Sequence, residues 1–194
     1  TIWFENADRG IAAGAFGFAM STHDGGRTWK EFTPGAGEDR DRHLNAVFAA
    51  PGGLVFIAAE AGTVFRSSDG GATWATLRLP YDGSLWGGMA LKGGGVLVHG
   101  MRGHVLRSPD QGKTWIDVPT GTDKSWTGGL QLADGTIVLV GLGGAVATST
   151  DDAHTFRTTI RPERQTLSAV TIGPTGTLVV AGLTGIGTHA LAAP

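Results

Sequence analysis

Apolar positions along the chain come in short bursts, broken by glycine-rich turns, and the bursts recur at a fixed interval. In the best-defined unit, residues 44–49 read as one strand and Pro51-Gly52-Gly53 as its turn. The wholly apolar run 54–59 is a second strand, Ala61-Gly62 turns the chain, residues 63–67 form a third, and residues 73–79 a fourth. Equivalent first turns follow at residues 92–95, 133–135 and 173–176. No segment carries a helical period, so the pattern predicts an all-β protein.

The interval is 41 residues. Trp3, Leu44, Leu85, Trp126 and Leu167 open successive units at that spacing. A glycine column, Gly17, Gly62, Gly103, Gly144 and Gly185, follows at 45 and then 41 residues, because the first unit is 4 residues short before its glycine. After each of the first four glycines comes a shared octapeptide. It reads Thr-His-Asp-Gly-Gly-Arg-Thr-Trp at 22–29, Ser-Ser-Asp-Gly-Gly-Ala-Thr-Trp at 67–74, Ser-Pro-Asp-Gln-Gly-Lys-Thr-Trp at 108–115 and, decayed, Ser-Thr-Asp-Asp-Ala-His-Thr-Phe at 149–156. Its chemistry is that of a tight hairpin. The Asp carboxylate accepts backbone N–H groups, Gly supplies a left-handed backbone angle, Thr resumes a strand and the aromatic ring seeks burial. Asp24, Trp29, Asp69, Trp74, Asp110, Trp115, Asp151 and Phe156 are therefore expected to be structural.

This octapeptide resembles the Asp-box (BNR) repeat of β-propellers. Four strands per unit at a period near 40 residues fits propeller blades, each of which buries its faces only by stacking on its neighbours. The expectation is a single β-propeller domain over residues 1–194, with repeats at about 1–40, 41–81, 82–122, 123–163 and an incomplete 164–194. The fifth unit reads as two strands followed by a tail from residue 186, with no Asp box and no fourth strand. The unprotected sheet edge that this implies points to a missing N-terminal part and a seven-bladed ring, the rival being a five-bladed ring with an open seam or one completed by another chain.

Composition narrows the function classes. A net charge of -2 over 194 residues gives no footprint for nucleic acid. With no cysteine there is no disulfide framework and no thiolate metal site. The 33 glycines recur at fixed spacing and do not form a low-complexity tract. No apolar run reaches the roughly 18–20 residues of a membrane span. His23, His43, His99, His104, His154 and His189 lack metal-site spacing, so no metal and no cofactor is expected.

Binding chemistry is expected on the face that carries the inter-blade loops and the turns between second and third strands, opposite the Asp boxes. Charged residues gather there: Arg40, Asp41, Arg42, Asp82, Asp123, Glu163 and Arg164 in the linkers, Glu60 and Arg102 in the turns. Trp86 and Trp126 open strands beside it. Arg and Trp are favoured anchors for a protein partner, so Arg40, Arg42, Arg102, Arg164, Trp86 and Trp126 are the candidate contacts. Individually, each charge is also what a solvated loop would carry. The alternative is an Asp-box glycoside hydrolase. A sialidase-like site would need a Tyr nucleophile, and Tyr81 beside Asp82 is the single tyrosine. An endoglucanase-like site would need two carboxylates roughly 6.5–9.5 Å apart, for which Asp41, Asp82 and Asp123 are the candidates.

The full pattern of apolar strand, Gly-x-x-Gly, short strand and Asp box stands at residues 98–115, Val-His-Gly-Met-Arg-Gly-His-Val-Leu-Arg-Ser-Pro-Asp-Gln-Gly-Lys-Thr-Trp. It is similar to the photosystem II stability/assembly-factor family and its bacterial relatives. That resemblance implies a non-enzymatic, exported assembly factor, periplasmic or lumenal, that holds a membrane-protein partner. It also implies an arginine-rich patch, carried over at best to Arg102 with Arg40, Arg42 and Arg164 on the rim.

Overall fold

The computed structural model describes residues 1–174 and 176–190. Among the described residues, nineteen strands form five antiparallel sheets in up-and-down order. The first sheet holds β1 (Ile2–Phe4), β2 (Gly10–Ala13), β3 (Ala19–Thr22) and β4 (Lys30–Phe32). The second holds β5 (Leu44–Ala50), β6 (Leu54–Ala59), β7 (Thr63–Ser67) and β8 (Ala75–Arg78). The third holds β9 (Leu85–Ala90), β10 (Val96–Gly100), β11 (Val105–Ser108) and β12 (Ile116–Asp117). The fourth holds β13 (Trp126–Gln131), β14 (Ile137–Gly141), β15 (Ala145–Ser149) and β16 (Arg157–Ile160), and the fifth β17 (Leu167–Ile172), β18 (Leu178–Gly182) and β19 (Gly185–His189). The opening strands β1, β5, β9, β13 and β17 stand side by side in that order, as the inner strands of propeller blades do.

Two boundaries differ from the sequence reading. β19 occupies part of what reads as a tail, because the polar, glycine-rich run Gly-Ile-Gly-Thr-His lacks the apolar content of the other strands yet pairs fully with β18. The fourth strands begin late: β8 starts at Ala75, because Thr73 is held by the Asp69 carboxylate and belongs to the turn. Thr175, within the expected turn at 173–176, and residues 191–194 lie outside the described residues.

Four apolar layers lie between consecutive blades. Ile11, Val55, Ile57 and Phe65 fill the first, and Phe48, Phe56, Leu85 and Val98 the second. Leu97, Trp126 and Leu139 fill the third, and Val138, Val140 and Val180 the fourth. The second strands β6, β10 and β14 are buried throughout, which explains why they read as unbroken apolar runs instead of alternating ones. The box aromatics of the second, third and fourth blades each reach back to the preceding blade, while Trp29 meets Phe4 of its own blade edge-on. Trp74 packs on the first layer, where it stacks on Phe32 at 5.8 Å, Trp115 on the second and Phe156 on the third.

Candidate functional site

The two ends of the blades are chemically unlike. At one end lie the first turns and the Asp boxes, brought together by the Gly70 N–H donating to the Gly53 carbonyl at 3.0 Å. In every box the carboxylate accepts the backbone N–H and the hydroxyl of the Thr four residues on; for Asp69 these distances are 2.9 and 2.6 Å. The Ser or Thr two residues before Asp also donates to it, at 2.7 Å for Ser67. The indole N–H of each box Trp closes the turn on a glycine carbonyl at 3.1–3.2 Å.

Hydrogen bonds from Thr28 and Thr73 hold Asp24 and Asp69 at a pKa of about 2. Asp110 lies at about 2, through the Thr114 N–H first. For Asp151 burial pushes upward, but Thr155 and Ser149 bring it to about 2 as well. These groups stay ionised as hydrogen-bond acceptors, unsuited to donating a proton in catalysis.

The opposite end carries the inter-blade linkers and the turns between second and third strands. The two sets are sewn together: the Gly62 N–H donates to Gly83 at 2.8 Å, Met101 to Ser84 at 3.1 Å and Leu142 to Ser125 at 2.9 Å. The turn tips are tight 3-10 turns at Ala15–Gly17, Met101–Gly103 and Leu142–Gly144. Their central residues, Phe16, Arg102 and Gly143, have φ of 54°, 55° and 64°, and Ala61 has 51° at the same place in the second blade. Glycine suits this left-handed angle; a large side chain there is strained. Phe16 is 74% exposed and Arg102 is exposed, so neither is compensated by burial.

The six candidate contacts fare differently. Arg102 and Arg164 are exposed, Arg164 also at a left-handed φ of 51°. Arg40 is exposed in the first linker. Arg42 is half-buried and donates to Asp39 at 3.2 Å; Asp39 also takes Arg78 of the second blade, so Arg42 belongs to an internal clamp. Trp86 is half-buried. Trp126 must be withdrawn as a contact. It is 0% exposed, lies in the third layer, and donates its indole N–H to the Gly103 carbonyl at 3.1 Å. It fills the same core column as Leu44 and Leu85. The arginines share one face without forming one cluster, since Arg40, Arg102 and Arg164 stand on different blade junctions.

Two aromatic pairings escape the sequence, Phe16 with His43 and Tyr81 with His104. Phe16 packs edge-on against His43, with centroids 4.8 Å apart, and the His43 N–H is held by Glu60 at 2.9 Å. Its signal was legible, a bulky residue in a column that holds Gly143. Tyr81 lies against His104 at 4.4 Å, and His104 meets Asp117 at 3.1 Å. The Tyr81 hydroxyl donates to the Met101 carbonyl at 3.1 Å, and burial raises its pKa despite the opposing Arg102 charge. Both run against a phenolate nucleophile. Asp123 is paired with Lys124 at 3.2 Å. Among the described residues there is no cluster of His, Asp and Glu able to hold a metal.

Up-and-down sheets packed face to face, each of the first four closed by an Asp box, define an Asp-box β-propeller. The chain belongs to the family described as photosynthesis system II assembly factor YCF48, whose model matches residues 1–118, more than half of its length. Among solved structures it is similar to YCF48 bound to a D1 peptide, at 23% identity and a TM-score of 0.75, covering 94% of this chain and 59% of that one. It is also similar to YCF48 from Cyanidioschyzon merolae, at 16% identity and a TM-score of 0.73, covering 100% of this chain and 66% of that one. Virginiamycin B lyase from Staphylococcus aureus shares the fold at 14% identity and a TM-score of 0.73, covering 92% and 64%. The chain thus spans less than two thirds of the length of these relatives. No curated protein matches it by sequence.

Proposed function

We propose that this protein is a non-enzymatic binding and assembly scaffold that holds an extended segment of a membrane-protein partner on its loop face, in an exported setting, periplasmic or lumenal. The observation that carries the reading is the turn-tip column. Four equivalent tips hold Phe16, Ala61, Arg102 and Gly143 in one backbone conformation, and the two large side chains are both exposed and strained. Strain without burial serves no packing purpose, and such residues gather at binding sites. Arg40, Arg102 and Arg164, which form no ion pair among the described residues, offer exposed cations to carboxylates of a partner, on a face that also carries the exposed Asp41, Asp82, Asp123 and Glu163. Membership of the YCF48 family, and the D1 peptide held by one solved relative, support a peptide ligand. Among the described residues no helix is long and apolar enough to cross a membrane.

The test is fluorescence anisotropy of a fluorescein-labelled D1 peptide, with a scrambled peptide as control. Arg102→Glu and Arg164→Glu are each expected to weaken binding about tenfold or more, as anchor residues do. Absence of binding, or equal binding of the scrambled peptide, overturns the reading. Hydrolysis of a glycan panel that Asp82→Asn or Asp123→Asn abolishes would put a glycoside hydrolase in its place.

A further inference from the structure

Each inner strand from β5 onward begins with a bulge. The ladder pairs Leu44 with Ala59 and then Ala46 with Ala58, passing over Asn45; it passes over Trp86, Thr127 and Ser168 in the same way. A bulge re-aims the residue it leaves unpaired. Two of these residues use that freedom identically. Asn45 Nδ2 donates to the Leu85 carbonyl of the next blade at 2.8 Å, and Thr127 Oγ1 donates to the Leu167 carbonyl at 2.6 Å. Each ties the inner strand of one blade to the first residue of the next.

Trp86 stands at this position in the third blade, where the equivalent target is the Trp126 carbonyl. That carbonyl is bonded from elsewhere: His99 Nδ1 lies 3.2 Å from it. Because a carbonyl only accepts, Nδ1 carries the proton. His99 comes from β10 and pairs across from Gly87, and a Cβ on Gly87 would lie 2.5 Å from the imidazole Cε1 and Nε2. The second blade has Ala46 and Ala58 at these two places, and the fourth has Gly128 and Val140. The third blade therefore makes the tie with a residue one strand further out, and its bulge position is relieved of it. The half-buried indole there belongs to none of the four apolar layers. The Arg102 turn is fastened beside it, by Met101 N–H on Ser84 and by Arg102 N–H on Ser125 Oγ, both at 3.1 Å.

We infer that Trp86 is a ligand-facing residue of the loop face, and that His99 with Gly87 is the positioning pair that carries the blade tie in its stead. The ligand role rests on the scaffold reading above. The occupant is an extended peptide that lays an apolar side chain on the indole and a single carboxylate toward Arg102, which forms no ion pair among the described residues. A rigid indole supplies a large contact area at small entropic cost.

The test compares wild type, His99→Ala, Trp86→Asn, and a triple variant, Trp86→Asn/Gly87→Ala/His99→Ala, which installs the second blade's residues in the third. Thermal melts need no ligand. His99→Ala is expected to lower Tm by about 5–10 °C, and the triple variant to return to within about 3 °C of wild type. Trp86→Asn should shift Tm by less than about 3 °C and weaken the labelled peptide about tenfold, with the triple variant equally weak. A triple variant no more stable than His99→Ala overturns the transfer of the tie. A Tm loss for Trp86→Asn as large as that for His99→Ala makes Trp86 a packing residue. Wild-type affinity in Trp86→Asn overturns its ligand role and leaves the scaffold reading standing. No peptide binding by wild type overturns the scaffold reading and the ligand role together, while the melts still decide the tie.

Discussion

The Asp-box face and the loop face are built by the same repeat and end in opposite kinds of surface. On the box face equivalent positions hold equivalent residues: four Asp acceptors, four Thr donors, three Trp and a Phe. Blades are also joined there by arginines, with Arg66 Nε donating to the Gln111 carbonyl at 2.8 Å and Arg107 to Asp152 through both its carbonyl and its carboxylate. On the loop face the backbone repeats but the side chains do not. One tip column reads Phe16, Ala61, Arg102, Gly143; one bulge column reads Asn45, Trp86, Thr127, Ser168. In a repeat protein, what recurs holds the structure, and what departs while the backbone stays the same is available for recognition.

The contrast can be broken most forcefully with glycine. At Gly112, φ is +88° and a Cβ would lie 2.7 Å from a Phe56 ring carbon, so Gly112→Ala is expected to cost about 2–4 kcal/mol in urea melts. At Gly143 on the loop face the nearest atom, Lys124 Cδ, would be 3.7 Å away, so Gly143→Ala should cost only the backbone strain, about 1 kcal/mol. Equal costs would erase the distinction. Next in size is Arg107→Ala, which strands the Asp152 carboxylate at a blade junction and should cost about 2–3 kcal/mol.

Arg102→Gly should move the other way, gaining about 0.5–1 kcal/mol by relieving the left-handed angle while peptide affinity falls. A loss of stability there would mean that Arg102 is structural after all. A pH slope is the remaining effect. Burial lowers the His99 pKa to about 4, below its ordinary 6.5, so the unfolded chain binds the extra proton first. Stability from this group is complete above about pH 6.5 and declines as pH falls toward 4, by at most about 1.4 kcal/mol per pH unit. Chemical melts at pH 7, 6, 5 and 4 should show a shallower decline in the triple variant, which lacks the imidazole.

Most of the fold could be read from the chain, because the 41-residue columns align residues with strong local physics: Asp and Gly in turns, and an apolar residue opening each inner strand. Trp126 shows where an aromatic prior competes with that register. It lies in the column of Leu44, Leu85 and Leu167, and the column fixed its burial more firmly than its residue type suggested exposure. β19 escaped because weak strand formers pair well when a neighbouring strand presents a ready edge. The His99 tie was beyond the sequence, since it joins residues of different columns. Its trace is indirect, an indole in a column that otherwise reads Phe4, Asn45, Thr127 and Ser168.

The box aromatics carry a consequence for how the molecule is assembled. Trp74, Trp115 and Phe156 each dock on the layer shared with the blade before them, so the contacts that complete a blade lie within about one repeat upstream. A chain leaving a ribosome or a translocation pore amino end first would always find that surface already present. Each new blade can then seat on its predecessor as it emerges, with no need to wait for distant sequence.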